Sequence, residues 1–117
     1  MSDEAATYAA LKSILPALPA AQQNLADELR RSALEYSLAR GRWRLAGTEE
    51  RAAMEKGRSV AHDCFIDAMN ALSRACGRAG LSQEWRAMWG DGRTGEARKR
   101  LGDLACFIAW QLMLEAR

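Results

Sequence analysis

An all-α fold follows from three features of the sequence. Its 117 residues contain one valine (Val60) and three isoleucines (Ile14, Ile66, Ile108), too thin a supply for strands, which draw on β-branched and aromatic side chains. Alanine, the best intrinsic helix former, occurs 23 times. The only two prolines, Pro16 and Pro19, lie early. The expectation is one domain, residues 1–117, folded as a helical bundle of about five helices, two of them long.

The first helix starts after Asp3, a good cap, and ends near Leu15 because Pro16 disfavours the helical conformation in the residue before it. Tyr8, Leu11, Ile14 and Leu15 form its apolar face, and Pro16–Pro19 reads as a hinge. Pro19 suits the first position of a second helix over Ala20–Leu45. Leu25, Leu29, Ala33, Tyr36 and Trp43 recur there at helical spacing, and Leu34, Leu38 and Leu45 widen the stripe. Gly41 weakens its last turns and Gly47 supplies a stop.

Thr48 caps a long third helix, Glu49–Ala79, whose first-turn acids suit the helix dipole. Ala61, Phe65, Ala68, Leu72, Ala75 and Ala79 make its stripe, Gly57 is a candidate kink, and Gly80 ends it. Ser82 caps a short helix, Gln83–Trp89, closed by Gly90, and Gly90–Gly95 is a loop. The last helix runs from Glu96 to the end. Leu101, Leu104, Ala105, Ile108 and Leu112 form one face, and Cys106, Trp110 and Met113 another. From Leu104 to Leu114 only Gln111 is strongly polar. This apolar C-terminal helix is expected to be buried all round, as the centre of the bundle or the seam of a homodimer.

Composition removes several functional classes. Hydrophobic residues make up 49% and charged residues 27%, which excludes disorder. The longest strictly apolar run, Leu104–Trp110, is far short of the roughly 20 residues a membrane helix needs. Net charge is only +2, and arginine outnumbers lysine 14 to 3, as a GC-rich bacterial genome favours. The acidic Met1–Glu4 start lacks a basic-then-apolar leader. With three cysteines, an odd number, a reducing cytoplasm is expected. Cys64 and Cys76 share one helix about 18 Å apart, beyond disulfide reach, and all three read as small buried hydrophobes.

Catalytic constellations are sparse. The single histidine, His62, has no cysteine on its own helix face and reads as a hydrogen-bonded residue at the core edge. One histidine and three cysteines cannot complete a structural zinc site or a di-iron bundle site. Asp63 and Asp67, four apart on one face, with Asp103 on the last helix, leave a magnesium-dependent hydrolase as a second alternative. Gly90–Gly95 lacks the lysine and the preceding strand of a phosphate loop. Cys76–Ser82 resembles a helix-turn-helix turn, but the position that must then be apolar is Arg86.

Binding surfaces remain. Four tryptophans are many for this length. Trp85, Arg86 and Trp89, with Arg93 and Arg98 at the rim, are candidate anchors for a partner protein, because tryptophan and arginine dominate interface energetics. A Trp85–Trp89 pair on one face normally anchors a small core, which is the favoured reading of the pair itself. Arg40, Arg42, Trp43 and Arg44 offer the alternative of nucleic-acid binding, through phosphate contacts and indole stacking. The leading expectation is a non-enzymatic interaction protein without cofactor. It would be an accessory or inhibitor from a phage or plasmid that occludes a host complex such as a defence system.

Overall fold

A computed structural model describes residues 1–116 and bears out the all-α bundle. Five α-helices follow in order: α1 (Asp3–Ile14), α2 (Gln23–Leu45), α3 (Thr48–Arg78), α4 (Glu84–Ala87) and α5 (Gly95–Glu115). No strand occurs among the described residues. No helix is long and apolar enough to cross a membrane.

Local chemistry sets the ends of these helices. Ser2 caps α1, its hydroxyl accepting from the Ala5 amide at 3.1 Å, one residue before the expected Asp3. The Pro16–Pro19 segment forms two short 3-10 turns, Leu15–Ala17 and Ala20–Gln22, which bury Leu15 and Leu18. Gln23 holds the turns together by donating to the carbonyls of Leu15 and Leu18 at 3.1 and 2.9 Å. At the start of α3 the cap is Gly47 and not Thr48. The Glu50 carboxylate accepts from the Gly47 amide at 2.6 Å, satisfying an end amide that has no helical acceptor. Neither Gly41 nor Gly57 interrupts its helix. Gly80, at φ +74°, ends α3 where a residue with a Cβ would be strained.

The core is laid down on α2 and α3. Ala26, Leu29, Ala33, Tyr36 and Arg40 are buried on α2; His62, Phe65, Met69, Leu72 and Cys76 are buried on α3. Both series step alternately by three and four residues, the spacing of helices that cross at a shallow angle. The stripe on α3 is therefore rotated from the expected one, since Ile66 and Met69 are buried and Ala79 is exposed. On α2, Leu34, Leu38 and Leu45 face solvent, and Arg40 takes the inward place expected of Trp43. The expected stripe was too wide because apolar composition alone does not turn a helix.

Helix α2, with 23 residues, exceeds α5, with 21, and lies between α3 and α5. Helix α1 packs on α5, and α4 closes the end against α1 and α3. The 31 residues of α3 span about 46 Å, close to the 47 Å long axis of the molecule. The centre of the bundle is α2. On α5 the face carrying Trp110 and Met113 is open, 56% and 59% exposed, against the expectation of burial all round within the chain.

Candidate functional site

The residues expected to anchor a partner lie largely inside the protein. Trp85 and Trp89 are 3% and 2% exposed. The Trp85 indole donates to the Ser82 carbonyl at 3.0 Å, and the Trp89 indole donates to the Thr7 hydroxyl at 2.9 Å. The helix expected over Gln83–Trp89 is only Glu84–Ala87, so Trp85 lies on it and Trp89 in the turn that follows, and both rings are buried. They fasten α4 to the bundle, so neither indole is open to a partner.

The three arginines around them are engaged too. Arg86 donates to Asn70 Oδ1 at 2.8 Å and to the Gly90 carbonyl. Arg93 meets Asp67 at 3.1 Å, Asp91 at 3.7 Å and Asp63 at 3.8 Å. Arg98 meets Asp63 at 3.2 Å and donates to the Arg93 carbonyl at 3.2 Å. Together they latch the Gly90–Gly95 loop to α3. Their expected role on an interface rim gives way to this internal one.

The basic cluster is likewise dispersed. Arg40 is 9% exposed, paired with Asp103 at 2.8 Å and turned toward the Cys106 sulfur at 3.5 Å. Trp43 lies against two guanidinium groups, Arg51 at 4.5 Å and Arg58 at 4.6 Å from the ring centroid, so its stacking surface is occupied. Arg51 also donates to the carbonyls of Trp43 and Arg44 at 2.9 Å, closing the α2–α3 turn. Only Arg42 and Arg44 remain on the surface. Helical spacing separates Arg40 from Arg42, and burial completes the separation.

The magnesium alternative finds no cluster. Asp63 and Asp67 face Arg93, whereas Asp103 is held by Arg40. Among the described residues no three histidine, cysteine or acidic side chains come together to hold a metal ion. Of the thiols, Cys76 is buried, and burial raises its pKa. Cys64 is exposed, contrary to expectation, because it sits on the outer side of α3.

His62 is buried, with Nε2 at 2.8 Å from the Arg98 carbonyl and its ring edge-on to Tyr36 at 5.2 Å between centroids. An acceptor at Nε2 requires that nitrogen to carry the hydrogen. Burial, the largest cause, pushes the imidazole below its ordinary 6.5. Between that lowered value and 6.5 the unfolded chain binds the extra proton and the folded chain does not. Stability therefore falls as pH drops through this window. Urea unfolding midpoints should decline from pH 8 to pH 5.5, and His62→Gln should flatten the decline above pH 6. An equally steep decline in the variant would assign it to other groups.

Family models, curated proteins and solved structures yield no match to this chain.

The chain's own surface then carries the functional reading. One unsatisfied part, which carries the exposed tryptophan, is the outer face of α5: Trp110 (56% exposed), Met113 (59%) and Leu114 (37%), adjoining the half-buried Cys106. Cys106, Trp110 and Met113 recur at four and three residues, so they form one stripe. The sequence marked this stripe as apolar. Only packing reveals that nothing within the described chain covers it.

Proposed function

We propose that the protein acts by binding and not by catalysis, as a homodimer joined through the outer face of α5. The observation that carries this reading is the exposure of Trp110 and Met113 on a helix that is apolar from Leu104 to Leu114. Burying a side chain of this size contributes about 1.5–3 kcal/mol, and paired copies would bury each twice across a two-fold axis. The pairing of Asp63, Asp67 and Asp103 with arginines supports a role without acid–base chemistry. The three unpaired thiols support a reducing, cytoplasmic setting. A partner protein would meet the dimer through surfaces other than Trp85 and Trp89. The nucleic-acid alternative keeps only Arg42 and Arg44 and draws no support from Trp43.

Sedimentation equilibrium across a concentration series tests the dimer. The wild type should shift from monomer to dimer in the micromolar range. Trp110→Asp should stay monomeric with unchanged helical circular dichroism, because an exposed position carries little folding energy. A wild type that remains monomeric at hundreds of micromolar overturns the reading.

A further inference from the structure

No contact within the chain calls for a glycine at residue 41. Gly41 stands inside α2, where glycine in place of alanine costs roughly fivefold in helix stability. Its φ is not positive, and a Cβ built there would meet no atom within 4 Å. Gly57 on α3 is equally open, and the flanks of Gly41 set it apart. Leu34, Leu38 and Leu45 follow the same outer stripe at helical spacing and are 36%, 58% and 91% exposed. Gly41 is thus a notch in an apolar ridge, walled by Leu38 and Leu45.

The outer stripe of α5 borders this ridge. Arg40, next to Gly41, reaches Asp103 at 2.8 Å and Cys106 at 3.5 Å, which holds the Cys106–Trp110–Met113 side of α5 against α2. The α5 face is too small to join two copies by itself. Trp110, Met113 and Leu114 are about half exposed and present on the order of 300 Å², at about 200 Å² for a large side chain. A specific interface takes about 800 Å² from each partner. The three leucines of α2 present about as much again. With the polar residues around them, the joint face of α2 and α5 approaches the size that a stable dimer needs.

We infer that in the homodimer proposed above, on which this step rests, each Trp110 seats over Gly41 of the second copy, between Leu38 and Leu45. A two-fold axis makes the contact occur twice, α5 on α2 and α2 on α5. The axis then runs between the two helices and not through Trp110. A large side chain enters the gap among four side chains of a facing helix, and a glycine at the floor of that gap gives an indole room to enter. Pairing Trp110 on Trp110 instead would leave the notch and the leucines of α2 uncovered.

Sedimentation equilibrium on variants and their mixtures tests the contact. Gly41→Leu, with open space around it, should resist urea at least as well as the wild type when dilute, and should weaken the dimer about tenfold or more. Leu38→Glu, at an exposed position on the notch wall, should weaken it likewise. Either variant keeps its Trp110, and the Trp110→Asp chain keeps its notch. An equimolar mixture of either with Trp110→Asp should therefore associate about tenfold more tightly than each variant alone, because the mixed pair retains one complete contact. If the wild type dimerises but both notch variants dimerise equally well, or mixing brings no gain, the Gly41 contact is overturned and the α5 dimer stands. A wild type that never dimerises overturns both.

Discussion

Trp89→Ala is expected to destabilise the fold by about 3–5 kcal/mol, the range for removing a buried large aromatic side chain. The indole is 2% exposed, its Nε1 donates to Thr7 at 2.9 Å, and Arg100 lies over the ring at 4.9 Å. Truncation opens a cavity and takes one of two partners from the buried Thr7 hydroxyl, which keeps its bond to the Met88 sulfur at 3.2 Å. Thr7 lies on α1 and Trp89 just beyond α4, so the loss falls on the contact that closes the end of the bundle. Urea denaturation followed by circular dichroism measures the effect. Trp89→Phe separates the two contributions, because it keeps most of the volume and loses only the hydrogen bond, worth about 1 kcal/mol. A loss under about 1 kcal/mol for the alanine variant would mean that Trp89 is not a core residue.

Gly102→Val is the second large effect, a destabilisation of about 1–3 kcal/mol from overpacking. A Cβ at residue 102 would lie 2.7 Å from the Tyr36 hydroxyl and 3.2 Å from Cζ of the same ring. Tyr36 is 3% exposed, held between α5 and the His62 ring, and has little room to give way. Replacing a helical glycine gains less than about 1 kcal/mol in propensity, so the clash wins. The glycine is what lets α2 and α5 approach closely enough for Arg40 to reach Asp103. Tyr36→Phe removes the nearest atom and should restore part of the loss in the double variant. Additive losses in that cycle would place the strain elsewhere.

These two residues illustrate how much was legible in the sequence. Trp85 and Trp89 read first as a small core, as their burial bears out, and second as an interface, because four-residue spacing gives a shared face without saying where that face points. Gly102 carried no local signal at all: it lies inside a helix, and its reason is a tyrosine on another helix. The ionic partners of the arginines were also invisible. Arg40 and Asp103, or Arg98 and Asp63, are distant in sequence, and only the packing of α2, α3 and α5 brings them together.

By itself the sequence determined the helical class, the approximate helix limits and the apolar character of α5. Those signals are local: propensity, prolines, glycines and caps act within a turn or two of where they stand. Tertiary structure alone decided the orientation of each helix. It turned Arg40 and His62 inward, left Leu38, Leu45 and Trp110 outside, and spent most of the expected interface residues on internal contacts. Helical periodicity relates side chains on one helix to each other. The rotation of that helix against its neighbours depends on close packing and on pairing buried charge, and both require the other helices to be in place.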